Sequence, residues 1–72
     1  MKNNQIKLLD LVALTEDIPE RELRRGQVGT VVENLASGVY EVEFSDNEGR
    51  TFASLALKVV QLLVLHYEPA FA

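Results

Sequence analysis

The segment VYEVEFSD, Val39 to Asp46, alternates strictly. Tyr40, Val42 and Phe44 are apolar, and Glu41, Glu43 and Ser45 between them are polar. A period of two is the mark of a β-strand with one buried and one wet face. The stretch before it, VGTVVENL (Val28 to Leu35), is rich in β-branched residues and reads as a second strand. Gly38, in the NLASG joint between them, takes a positive φ without steric cost, so the pair forms a hairpin. After Phe44 the turn formers SDNEGR lead into a third strand, RTFASLAL. There Ala53, Leu55 and Leu57 share one face and Phe52, Ser54 and Ala56 the other. The middle of the chain, about Val28 to Leu57, is thus an antiparallel meander.

The flanks are less regular. DLVALT, Asp10 to Thr15, reads as the first strand. VVQLLVL, Val59 to Leu65, has the length and branching of a buried strand, although its periodicity does not distinguish a strand from a short helix. A strand entered through a 3₁₀ turn near Lys58 to Val60 is the favoured reading. Between the first two strands lies EDIPERELRRG. Pro19 disfavours helix at Ile18 and suits a first helical position, so PERELRR forms one or two helical turns or a long ordered loop. Five short strands with a long first connection predict an all-β fold, a small SH3-like barrel, in which curling buries one face and pairs most edges. At 72 residues the chain makes one domain, 1–72, with a core of about 10–65 and a flexible tail, 66–72.

Composition excludes several functions. The chain has no cysteine, so disulfides and thiolate metal sites are absent, and the lone His66 suggests no metal cluster. Acidic residues outnumber Lys and Arg 11 to 7, which disfavours phosphate-backbone binding by the domain as a whole. The N-terminal apolar stretch is broken by Asp10, Glu16 and Asp17, unlike a signal peptide. The longest apolar run, Val59 to Leu65, is far short of the ~20 residues that span a bilayer. The expectation is a cytoplasmic protein with no membrane contact and no cofactor.

Candidate sites each carry a plainer explanation. Arg21, Arg24 and Arg25 form a local basic cluster suited to phosphate or an acidic partner. Their neighbours Glu16, Asp17, Glu20 and Glu22 are placed to pair with them, which favours a solvated loop. Gly26 and Gly29 lack the lysine and following helix of a P-loop and read as turn or bulge glycines. Asp46, Asn47 and Glu48 lack EF-hand spacing and read as turn chemistry. Glu41 and Glu43 read as an exposed strand face rather than an acid–base pair. His66, beside Tyr67 and Glu68, is a poor candidate base, and no catalytic triad is recognisable. In VVQLLVL only Gln61 is polar. The run is either a strand buried on both faces or an apolar surface that pairs with another chain. Tyr67 and Phe71 make the tail more apolar than solvation requires, so it folds back or touches a partner.

As a whole, DLVALTEDIPERELRRGQVGTVVE…YEVEFSDNEGRTFASLAL resembles a small bacterial family known as domain of unknown function 4926. The likeness runs from about Asp10 to Leu57. It falls on Thr15, Glu16, Asp17, Pro19, Gly26, Gly29, Thr30, Tyr40, Val42, Phe44, Gly49 and Arg50. It implies a single small domain and no known activity or cofactor. GQVGTVV also resembles the core of the KOW motif of ribosomal and transcription-elongation proteins, at Gly26, Gly29 and Val31. That resemblance implies RNA or protein contact.

These readings lead to a binding module rather than an enzyme. The favoured function is a protein–protein interaction or accessory partner protein, of antitoxin-like type, with self-association through the C-terminal strand as one mode. The alternative is a KOW-like RNA-binding or ribosome-associated barrel. The candidate interaction surface is Arg21, Arg24, Arg25, Val60, Leu62, Val64 and Tyr67.

Overall fold

A computed structural model describes residues 6–66. Five strands form one antiparallel sheet: β1 (Leu11–Leu14), β2 (Val28–Ala36), β3 (Val39–Ser45), β4 (Thr51–Lys58) and β5 (Leu62–Val64). Their order across the sheet is β4-β3-β2-β1-β5. A long loop joins β1 to β2, and a 3₁₀ turn, Val59–Gln61, joins β4 to β5. This is the strand order of an SH3-like barrel, as the alternating sequence implies. β4 and β5 are the two ends of the sheet.

β2 does the work of two strands. Its first residues, Val28 to Thr30, pair with β1, and from Thr30 to Ala36 it pairs with β3. Register shifts between Val31 and Glu33 and between Asn34 and Ala36 mark bulges in its second half. Bulges bend a strand and increase its twist. A curved sheet can direct the inner face of every strand toward one centre. Val12 and Leu14 of β1, Val31 of β2, Val42 and Phe44 of β3, Leu57 of β4 and Leu62 of β5 share a single buried cluster. Tyr40, Ala53, Leu55 and Val64 pack against it. The period-two reading of β3 and β4 thus holds, with Phe52 on the outer face and 51% exposed.

The β1–β2 loop is ordered by its own small hairpin. Ile18 and Leu23 exchange backbone hydrogen bonds of 2.8 and 3.1 Å, and both side chains are buried. Pro19 opens a single 3₁₀ turn, Pro19–Arg21, at the tip of that hairpin. Glu22 follows in the left-handed region, at φ 59°. The base of the loop is tied to the second 3₁₀ turn. Thr15 N–H donates to the Gln61 carbonyl at 2.9 Å, and the Thr15 hydroxyl donates to the Val60 carbonyl at 2.9 Å.

The two glycines of the GQVG stretch have different roles. Gly26 sits in the turn before β2 with φ +90°, as a turn glycine should. Gly29 is inside β2, opposite Val12, and faces the core. It is there for lack of space rather than for turning the chain, which corrects the reading of it as a turn residue.

VVQLLVL is divided. Its first three residues make the 3₁₀ turn, and the strand is confined to Leu62–Val64. The predicted tail lies outside the described residues, apart from His66. Among the described residues no helix is long and apolar enough to cross a membrane.

Candidate interaction surface

Residues directly opposite one another in an antiparallel pair project to the same face. Ala13 lies opposite Val28 on one side and Leu63 on the other. Val12 and Leu14, its neighbours, point into the core, so Val28, Ala13 and Leu63 form a row on the outer face. Val28 is 45% exposed and Leu63 59%. The small methyl of Ala13 is buried between them. A second row runs parallel to it. Leu11 lies opposite Thr30, and the Leu11 carbonyl accepts the Leu65 N–H at 2.9 Å.

Thr30 marks a boundary. On one side it faces Leu11, and on the other it faces Glu43, which in turn faces Ser54. Glu33 and Glu41 are directly opposed on the β2–β3 ladder, and the Ser54 hydroxyl donates to the Glu41 carboxylate. The outer surface therefore has two halves. Over β2 and β3 it carries Glu33, Glu41 and Glu43, and over β1, β5 and the start of β2 it is apolar.

Val60 is a further exposed apolar residue. It is 75% exposed in the 3₁₀ turn, with its carbonyl held by Thr15. Gln61 fixes that turn from both sides. Its Oε1 accepts the Lys58 N–H at 2.9 Å and its Nε2 donates to Glu16 Oε2 at 3.0 Å. Two more exposed leucines, Leu8 and Leu9, lie in the turn before β1.

The residues singled out in the sequence are not all on this surface. Val60 is exposed in the second 3₁₀ turn. Leu62 is a core residue, and Val64 is half-buried against the core. Tyr67 lies outside the described residues. Leu63, Val28 and Ala13 carry the surface instead. The strand phase that selects Leu63 is hidden in the sequence, because LLVL contains no polar residue to mark the wet face.

Arg21, Arg24 and Arg25 are exposed in the first loop. An Arg21 guanidinium N–H reaches the Ser54 carbonyl at 3.5 Å. Arg24 and Arg25 are held through their backbone: Arg24 N–H donates to Gln27 Oε1 at 3.1 Å, and Arg25 N–H to Asp17 Oδ1 at 2.8 Å. Among the described residues the ion pairs within 4.0 Å all belong to Arg50, with Asp46 and Glu48. Contrary to the sequence expectation, among the described residues the loop arginines form no ion pair with their acidic sequence neighbours.

Asp46 organises the β3–β4 turn. Its Oδ1 accepts the N–H groups of Glu48 and Arg50, and its Oδ2 accepts Arg50 Nε at 3.1 Å. The Arg50 backbone N–H is the largest influence that lowers the Asp46 pKa; partial desolvation opposes it, and the Glu48 N–H and the Arg50 side chain add to the lowering. This is turn chemistry. Among the described residues no group of three or more His, Cys, Asp or Glu side chains is placed to hold a metal ion.

Fold and surface define a class: a small five-stranded β module with SH3-like strand order and a divided outer face. The sequence model of the family described as "Domain of unknown function (DUF4926)" matches residues 8–64, and the chain belongs to that family. No curated protein matches the chain, and no solved structure matches it.

Proposed function

We propose that this chain is a cytoplasmic binding module that attaches to another protein through the apolar half of its outer sheet face. It serves as an accessory or antitoxin-like partner and carries out no catalysis itself. The observation that carries the reading is the uncharged Val28–Ala13–Leu63 row, with Val28 and Leu63 exposed around the buried Ala13, in a chain of net charge −4. Exposed apolar patches rimmed by polar residues mark interaction sites. The acidic half beside it disfavours acidic partners and leaves the apolar rows to make the contact.

Capture of a partner by the tagged full-length chain from its native host tests the reading. Leu63→Glu and Val28→Glu change exposed side chains, so both should fold and lose the captured protein. Retention of the same protein by both variants sinks the proposal.

A second reading, RNA binding by a KOW-like barrel, is supported by the Arg24 and Arg25 side chains, which form no ion pair among the described residues. Phosphate contacts would make binding weaken steeply with salt. RNA binding that is absent at low salt, or unchanged in Arg24→Glu/Arg25→Glu, rules it out.

A further inference from the structure

The two ends of the sheet are unlike. At the β4 edge, Arg21 reaches the outward Ser54 carbonyl, and Gln61 takes the Lys58 N–H. The basic side chain of Lys58 adds a charge there. Side-chain cover and charge are the usual guards against strand addition.

The β5 edge has no such guard among the described residues. Thr15 N–H donates to the Gln61 carbonyl and Leu65 N–H to the Leu11 carbonyl. Residues 61, 63 and 65 therefore direct their backbone groups toward β1. By the alternation of an antiparallel ladder, Leu62, Val64 and His66 direct theirs outward. The Leu62 N–H is already given to the Val59 carbonyl. What faces out is the Leu62 carbonyl, both groups of Val64, and the His66 N–H. From Val59 to Leu65 there is no charged residue and no proline.

We infer that β5 pairs with β5 of a second copy, antiparallel about a twofold axis at Val64. This rests on the reading of the β1–β5 face as a docking surface, and it names the first occupant. With Val64 opposite Val64, the N–H and carbonyl of each copy exchange hydrogen bonds. The His66 N–H of each copy then meets the Leu62 carbonyl of the other. Centred on Leu63 instead, the pairing would oppose Leu62 to Val64 and leave each Val64 carbonyl without its donor, because the Leu62 N–H is occupied; centred on Val64, only the His66 carbonyl lacks one. The available donors and acceptors therefore favour the register centred on Val64 over the one centred on Leu63.

The same register places Leu63 opposite Leu65 of the second copy, on the outer face. Val28, Ala13 and Leu63 then continue into Leu65 and Leu11 of the other copy. The result is one apolar strip across β1-β5-β5-β1. Charge agrees with this choice. Each copy carries −4, and the uncharged edge is where two such chains approach with no like charges at the seam. The dimer strengthens as salt screens the rest of the surface. A basic partner at the same edge would weaken.

Sedimentation of the full chain over a concentration series, at low and high salt, reads the association. The expected result is a reversible shift from one-chain to two-chain mass that grows with salt and is lost in Leu63→Lys. The register is read by disulfides, since the chain has no cysteine of its own. Non-hydrogen-bonded antiparallel pairs have Cα atoms about 4.5 Å apart, within the range that a disulfide spans. Mixed Leu63→Cys and Leu65→Cys chains should oxidise mainly to the 63–65 heterodimer, and neither should efficiently join to itself. A chain that stays monomeric at every concentration overturns the inference, as does equal formation of all three disulfides. If the monomer still loses its captured partner on Leu63→Glu substitution, the docking surface stands and only its occupant is wrong.

Discussion

Gly29 lies against Phe44 with no room for a side chain: a β-carbon on Gly29 would stand 2.9 Å from Phe44 Cδ2 and 2.7 Å from Val42 Cγ1. Phe44 is the largest fully buried side chain among the described residues, so the strand pair β2–β3 closes on a missing methyl group. Gly29→Ala must displace packed core atoms and the Glu43 carbonyl at 2.8 Å. Overpacking of this kind costs about 1–3 kcal/mol. Gly26 has nothing within 4 Å of its β-carbon position and fails for a different reason, its φ of +90°. Gly26→Ala should cost about 1–2 kcal/mol through backbone strain alone. Urea unfolding measures both. Phe44→Leu should recover part of the loss when added to Gly29→Ala and none of it when added to Gly26→Ala.

The contrast between these glycines shows where the sequence is legible. Alternation at Tyr40, Val42 and Phe44 is local, so the meander and its inner face follow from reading along the chain. The crowding at Gly29 depends on residues that arrive from β3, more than ten positions later. Nothing near Gly29 announces them. The same limit applies to the surface. Val28, Ala13 and Leu63 come from three strands, and their adjacency exists only once the β1 registers are set. The loop arginines and their acidic neighbours are adjacent in sequence, yet among the described residues they form no ion pair.

Leu23 anchors the first loop. It is 1% exposed, although it sits in the middle of a charged segment, and it shares a bridge with Ile18. Leu23→Ala should therefore behave as a core truncation and cost about 2–5 kcal/mol. Its charged neighbour Glu22 has a left-handed φ of 59°, so Glu22→Gly should be neutral or slightly stabilising. Thermal unfolding of the two variants separates an anchored loop from a loose one, which would show no large effect at Leu23.

Gln61 joins two segments through its side chain and carbonyl: the end of β4, at Lys58, and the start of the first loop, at Thr15 and Glu16. Gln61→Ala removes the acceptor for Lys58 and the donor to Glu16. The bond to the Lys58 N–H is neutral, and the one to the exposed Glu16 carboxylate is weakened by solvent, so each contributes about 0.5–1.5 kcal/mol. A loss of about 1–2 kcal/mol is expected. Amide exchange should accelerate at Lys58 in this variant while the β2–β3 ladder stays protected. Uniform acceleration would mean that the clamp acts on the whole domain.

The Asp46 turn makes a signed pH prediction. Hydrogen bonds from Arg50 and Glu48 lower the pKa of Asp46 in the folded chain below its ordinary 3.8. The group's stabilising contribution is therefore full above the unfolded value of about 3.9 and is lost as pH falls through the lower folded value. Wild type should be more stable than Asp46→Asn at neutral pH, and the gap should close in acid. Unfolding midpoints measured from neutral to strongly acidic pH test this. A gap that is constant with pH would show that the carboxylate charge is irrelevant to the turn.

Leu62 and Leu63 are adjacent leucines with opposite roles, and they separate folding from binding. Leu62 is buried and lies opposite Leu14, inside the core. Leu62→Ala should cost about 2–5 kcal/mol, and any loss of partner capture should follow the loss of fold. Leu63 projects outward beside Ala13. Leu63→Ser should change stability by no more than about 0.5 kcal/mol, as surface substitutions usually do. Its effect on association should be large, because it removes the centre of the apolar row. Unfolding and capture measured side by side on the two variants decide the matter. If Leu63→Ser binds as wild type does, the row is only a covered edge of the fold, and the search for a partner surface moves to the loop arginines.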